Sequence, residues 1–252
     1  ASTGLRASAR HLECSTNTVS NRLMRLSRQH IAANAEILEN HVLKENLALD
    51  GFESKTLSNY HPNNINIAAG SDSQFVYGAS FTQLNRKGRM TKEQKIRARE
   101  LKNQEPQPFS KQQEAIQILA LQVDRVIPDP ESKLTVFSDE HLAYPEPIAG
   151  IHAQVTHKTI SSKDPRTRMN PLFPVNYMDR EFRKDLKEHG RKTVCFARNV
   201  NAQLERMHSY LFYHNYLKQF RINDPVTMKH YRHYHRAGID EQAVKNATTK
   251  IY

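Results

Sequence analysis

TVFSDEHLAY, residues 135–144, is the stretch on which the reading of this chain turns. Its first half has the look of a short β-strand, and it stops on Asp139. Asp is depleted in strands. A lone carboxylate taken out of water costs several kcal/mol unless it is paired or bound to metal. Working outward, LALDGFES (47–54) repeats the pattern: the apolar run NLALD ends on Asp50, 89 residues before Asp139. Each aspartate alone could be a strand-end cap. Two in this order argue for a shared use.

The surrounding chain is basic. Its 252 residues carry a formal net charge of +11, and 38% are hydrophobic, enough for a real core. Such an excess points to a polyanion, of which nucleic acid is the commonest. The alternative is a solvated basic surface. No apolar run approaches the ~18 residues a membrane helix needs, and there is no signal-peptide pattern. Cys14 and Cys195 form neither a disulfide framework nor a zinc site. A reducing compartment is expected: cytoplasmic, next to the nucleoid.

Near the N-terminus, LRASARHLECSTNTVSNRLMRLSRQHI divides into two helical patterns. Leu5, Ala9 and Leu12 recur at helical spacing. CSTN interrupts them with turn and cap chemistry, where Ser15 or Thr16 can accept from the first free N–H groups of the next helix. Val19, Leu23 and Leu26 then form an apolar stripe. The other side carries Asn17, Thr18, Ser20, Asn21, Arg22, Arg25 and Arg28. Two short helices with a polar, basic second member have the helix-turn-helix layout, whose second helix enters the major groove. Amides and hydroxyls there read base edges, and arginines bind guanine or phosphate. A plain helical hairpin would show the same pattern.

HIAANAEILENHVLKE (30–45) is helix-prone and connects the parts. NINIAAGSDSQFVYGASFTQL (64–84) reads as two strands around a GSDS turn. RKGRMTKEQKIRARELKNQE (86–105) is strongly basic, either a solvated helix or a DNA contact. An amphipathic helix is expected over 111–127, a strand over 133–139, an end to whatever follows it at Pro145 and Pro147, and another strand within 150–160. A loop over 161–174 and helices over 175–192 and 200–220 follow. The tail, rich in His, Tyr and Arg, reads as a basic surface segment, and its His230, His233 and His235 lack the acidic or Cys partners of a metal site.

A third acid is expected on the helix after Asp139. Asn176, Asp179 and Arg183 fall on one helix face at i, i+3 and i+7. Cations flanking Asp179 would hold it ionised at neutral pH, as a metal ligand must be. Glu181, Asp185, Glu188 and Glu205 compete with it.

The order of NTVSNRL (17–23), LALDGFES (47–54), TVFSDEHLAY (135–144), YMDREFRKDL (177–186) and RKTVCFARN with LERM and YHNY (191–216) resembles the DDE/DDD transposases of bacterial insertion sequences with an N-terminal helix-turn-helix. That resemblance implies an α/β fold: a ribonuclease-H-like, integrase-like mixed sheet flanked by helices, preceded by a small all-α helix-turn-helix. It implies three segments, 1–35 for DNA recognition, 36–225 for catalysis and 226–252 as a basic tail. Asp50, Asp139 and Asp179 take the family's three acids, catalytic and metal-holding. Members often carry Glu at the third position, and often a zinc ribbon ahead of the helix-turn-helix, for which this chain shows no cysteines.

Three converging carboxylates suit hard divalent cations, Mg²⁺ or Mn²⁺, as a pair of ions. Such a pair supports in-line displacement at phosphorus. The implied reaction is hydrolysis of the phosphodiester at an element end, then attack of the freed 3′-hydroxyl on target DNA. The partners are double-stranded DNA, at element ends and target, and further copies of the chain in a homo-oligomer on DNA. Arg180, Arg183 and Lys184 are expected to touch phosphates beside the third acid; His141 reads chiefly as a polar loop residue, with aid to proton transfer or phosphate binding as the alternative. The alternatives are a non-catalytic helix-turn-helix protein, a decayed transposase fragment, or a nuclease without strand transfer.

Overall fold

The computed structural model describes residues 4–104, 112–191, 193, 195–221, 223, 225, 227 and 230–251. Positions 105, 111, 192, 194, 226, 228, 229 and 252, which some expected segments include, lie outside them. The architecture is α/β: one five-stranded mixed sheet flanked by helices, with two helices at the N-terminus.

α1 (Leu5–His11) and α2 (Thr16–Leu38) are joined by a four-residue turn. Glu13 takes a left-handed φ of 50° there. The Cys14 N–H returns to the Ala9 carbonyl at 3.0 Å and the Glu13 N–H to the Arg10 carbonyl at 3.4 Å, a Schellman-type helix end built without glycine. Ser15 caps α2 by accepting from the Thr18 N–H at 3.0 Å. α2 does not stop where the recognition segment was expected to. It runs on through position 35, and Ala33, Ile37 and Leu38 enter the main core. The connector expected over 30–45 is therefore mostly the second half of one helix. Apolar residues at helical spacing continue past Leu26, so nothing local ends it.

The sheet has the order β3-β2-β1-β4-β5. β1 (Leu47–Lys55), β2 (Pro62–Gly70) and β3 (Val76–Gln83) form an antiparallel meander, with the hairpin turn at the GSDS stretch. β4 (Lys133–Ser138) and β5 (Gln154–Thr159) lie parallel to β1 on its other side. Side chains cap the outer edge of β3. The buried Asn215 amide accepts from the Val76 N–H and donates to the Val76 carbonyl, both at 2.9 Å, and the Gln122 oxygen accepts from the Ala79 N–H. They stand in for a neighbouring strand.

Alternation along the strands divides the core in two. Leu47, Leu49, Leu134 and Val136 face α4 (Gln112–Asp124), the short α5 (Pro145–Ala149) and the end of α2. Ala48, Phe52, Ile65 and Ile67 face α6 (Phe173–Asp185) and α7 (Val200–Phe212). The prolines at 145 and 147 open α5 instead of closing a segment, because a first helical turn needs no N–H there. α6 likewise begins on Phe173-Pro174, and it ends at Asp185 before a 3₁₀ turn, Lys187–His189. α7 passes into a π-helical turn, Tyr213–Leu217.

α3 (Lys92–Gln104), between β3 and α4, buries no residue. The tail differs from expectation. α8 (His233–Arg236), α9 (Glu241–Thr249) and the turn between them place Tyr234, Ala237, Ile239, Val244 and Ala247 in the main core. Burying these apolar residues of the tail outweighs its basic composition. Among the described residues, no helix is long and apolar enough to cross a membrane.

Candidate active site

β1 and β4 pair only at Leu47–Val136 and Ala48–Phe137. Beyond these pairs β1 continues against β2 alone. Asp50 is thus the fourth residue of a nine-residue strand, and the expectation of a strand-end position does not hold for it. Its carboxylate lies where the parallel partner has dropped away. Asp139 follows directly on the last residue of β4. Ligand crevices in open α/β sheets form at such carboxyl ends, where successive connections leave in opposite directions.

Side-chain alternation puts both acids on the α6 side. Asp50 lies between Ala48 and Phe52, and Asp139 follows Phe137 by two; all three neighbours pack with the α6 core. α6 buries Val175, Met178 and Phe182 against β1 and β2. Asp179, beside Met178 and one turn past Val175, is half-buried on α6, within electrostatic reach of Asp50.

The charge of Asp139 reaches Asp50, and that of Asp50 reaches Asp179. Burial pushes Asp50 up to about 6, with a further push from the charge of Asp139; the Gly51 N–H donated at 2.7 Å and Arg166 oppose this. Burial and then Asp50 push Asp179 up to about 8, against Arg183, Arg166 and Arg191. The flanking cations expected to keep Asp179 ionised are present, but desolvation and a like charge outweigh them. Tyr144 completes the group: burial, then Asp50, Asp139 and Asp179, raise its phenol well above the usual range. It keeps its proton among the acids. Asp139 accepts from the His141 N–H at 3.0 Å. The His141 ring itself accepts from the Ala143 N–H through Nδ1, a loop-ordering role.

The competing acids are taken up elsewhere. Glu181 is buried and bonds Lys184 at 2.8 Å and Lys218 more closely still. Asp185 accepts from the Tyr210 hydroxyl at 2.7 Å, and Glu188 from Arg206 Nε at 2.6 Å. Glu205 faces Arg28 at 3.7 Å.

Could this donor set hold a divalent cation? Its chemistry fits: all three donors are carboxylates, two carry pKa values raised by burial and a neighbouring like charge, and hard cations prefer such oxygens. The geometry is open. Among the described residues, no group of three or more His, Cys, Asp or Glu side chains is drawn close enough to hold a metal ion.

No family model matches the chain, and no curated protein matches it. The site is therefore argued from its own geometry.

Of the expected DNA-contacting residues, Asn17, Asn21, Arg22, Arg25 and Arg28 stand exposed on α2, with Thr18 and Ser20 half-buried. The Thr18 hydroxyl is engaged with Ser15 at 2.8 Å. α2 is fastened to α7 by Ser27 and His30, which both bond the Ser209 hydroxyl, and by His30 stacked on Phe212. Near the acids, Arg180 is exposed beside the Tyr177 ring, Arg183 lies over Phe52 at 4.6 Å, and the Lys184 ammonium is engaged by Glu181. In the tail, His233 is buried and bonds the Ser73 carbonyl at 2.8 Å, a packing role.

Sequence reasoning passed over Tyr144 and Arg166. Tyr144 stands inside the stretch TVFSDEHLAY, five residues past Asp139, and an aromatic that near a strand-end acid was the available signal. Arg166 sits in a loop among other basic residues, and nothing in its neighbours marks it.

Proposed function

We propose that the chain is a DNA transposase of the DDE/DDD type, with a ribonuclease-H-like catalytic unit, cutting and transferring DNA strands at the ends of a mobile element. The observation that carries this reading is the placement of Asp50 and Asp139 on one face of the sheet, each two residues past the last β1–β4 pair, with the charge of Asp50 reaching Asp179 on α6 and all three acids reaching Tyr144. The sheet order, with β2 alone antiparallel to its neighbours β1 and β3 and with β4 and β5 parallel to β1, supports the finer fold.

In this reading Asp50, Asp139 and Asp179 hold Mg²⁺ or Mn²⁺, which when bound supply charge neutralisation at the phosphate and a more acidic attacking oxygen. The remaining work falls to the chain. Arg166, Arg183 and Arg191 already lie within electrostatic reach of Asp179 and orient the phosphate. Tyr144 offers a protonated hydroxyl beside the acids. α2 docks the exposed Asn17, Asn21, Arg22 and Arg25 against a DNA groove, rigidly tied to the catalytic body through α7.

The test is Mg²⁺-dependent nicking of duplex DNA carrying the element's terminal inverted repeat. Loss of nicking in Asp139→Asn supports the reading, and undiminished nicking ends it. The open arrangement of the acids favours one second reading, a non-catalytic helix-turn-helix protein. Wild-type protein that binds the repeat and never cuts it under any divalent ion would establish that alternative.

A further inference from the structure

The positive charge of this chain is not evenly spread. Residues 86–104 hold eight Lys and Arg against two Glu, a net +6 of the chain's +11. This segment forms the root and helix of α3, which buries nothing against the body. Lys92, Lys95, Arg99 and Lys102 recur at intervals of three and four, so they line one face of α3 over ~15 Å. All four are exposed, and no ion pair links them to another described residue. The acid Glu100 is engaged with Arg97 at 3.3 Å, off this stripe. Ile96 is the one large apolar side chain strongly exposed on the helix, so α3 has no apolar face to offer a protein partner.

The root of α3 is firm. The Leu84 N–H bonds the Pro62 carbonyl at 2.8 Å, and the Arg86 guanidinium lies 4.4 Å over the Tyr60 ring. Gly88 turns the chain at a φ of 89°, a conformation suited to glycine. Thr91 and Gln94 bond reciprocally, each backbone N–H to the other's side chain at 3.2 Å, and start the helix.

Topology sets where this helix stands. β3 and β1 are both antiparallel to β2, so β3 delivers the chain at the carboxyl end of β1. Gln83 pairs with Asn63, and Asn63 with Ser54. The root thus leaves the sheet four residues along from Asp50 and two strands across, ~13 Å by ~10 Å. That is well within one turn of duplex DNA, ~34 Å.

We propose that α3 is a DNA-gripping arm whose Lys92, Lys95, Arg99 and Lys102 stripe binds the backbone of the duplex flanking the phosphodiester held at Asp50 and Asp139. This inference rests on the DNA-cutting reading for its ligand, and its test separates the two. The full chain is titrated against a ~30 bp fluorescent duplex at several salt concentrations, alongside K92Q/K95Q/R99Q/K102Q. Gln keeps helix propensity, and circular dichroism with thermal unfolding checks the fold. Every phosphate that is no longer neutralised takes ~0.9 off the slope of log K against log salt, so the variant's slope should be shallower by about 3. Affinity should fall at least 10-fold near 0.15 M salt. The double variant K245Q/K250Q, on α9 and the residue after it, should shift the slope by less than 1.

An unchanged slope in the quadruple variant overturns the arm. So does a variant that keeps duplex binding but loses binding to poly-glutamate or double-stranded RNA, and so does a wild-type protein that binds no duplex. If the slope falls as stated while wild type never nicks DNA, the arm stands and the catalytic reading falls.

Discussion

Asp50 and Asp139 share one register of the sheet. Leu47 stands opposite Val136 and Ala48 opposite Phe137, and two residues further on each chain carries an aspartate. Neighbouring strands are ~4.8 Å apart. Both aspartates lie past the last β1–β4 pair, where that pairing has ended, and the charge of Asp139 is among the causes that lift Asp50, after burial.

Neutral isosteres at the three acids separate function from folding. Asp50→Asn, Asp139→Asn and Asp179→Asn should each lower Mg²⁺-dependent nicking at least 10²-fold, with unchanged far-UV circular dichroism. Retained nicking in any one of them removes that residue from the site.

Asp179 makes the protein's stability depend on pH in an unusual direction. Its pKa is raised from 3.8 to about 8 on folding. Between those values the native state binds the extra proton, so stability falls as pH rises through that window. Asp179→Asn abolishes this slope. Even if solvent and local relaxation absorb two-thirds of the shift, about 2 kcal/mol remains. The Tm advantage of the variant should be small at pH 4 and several degrees at pH 8. Millimolar Mg²⁺ at pH 8 should raise the Tm of wild type and not that of the variant. A gap that narrows with rising pH would contradict this.

Glu181 is a stabilising residue. Its carboxylate is held below the usual range by Lys184 and Lys218, against the effect of burial. Glu181→Gln leaves Lys218, itself mostly buried, without its counter-charge. The expected loss is roughly 2–4 kcal/mol in urea unfolding, with nicking per folded molecule within a few-fold of wild type. A 10²-fold drop in nicking with normal stability would make Glu181 a rival to Asp179 as the third acid.

The capped edge of β3 gives a test of the fold. Asn215→Ala would orphan both the N–H and the carbonyl of Val76 in a buried setting. A destabilisation of about 2–4 kcal/mol is expected by chemical denaturation. A change under 0.5 kcal/mol would mean that the edge is protected by other means.

On α2, Asn21→Ala should reduce the preference for the terminal repeat over random duplex by about 1–3 kcal/mol. Arg25→Ala should weaken both about equally, with a slope shallower by about 1. Competition titrations would distinguish them, and exchanged effects would reverse the assigned roles.

Local chemistry was enough for much of this molecule. Period-two alternation with a GSDS turn marked the β2–β3 hairpin, the apolar run before Asp139 marked β4, and Ser15 marked the start of α2. Those signals act within a few residues, where hydrogen bonding and side-chain spacing decide the outcome. Long-range packing decided the rest. The length of β1 depends on its pairing with β2, which carries Asp50 from a strand end into the strand. Which acid joins Asp50 depends on how α6 is rotated against the sheet: Met178 and Phe182 bury, Asp179 comes within electrostatic reach of Asp50, and Glu181 turns toward Lys218. The ionisation of Asp179 depended on burial, which its flanking arginines do not reveal. The tail's basic composition concealed apolar residues that only the finished core could cover.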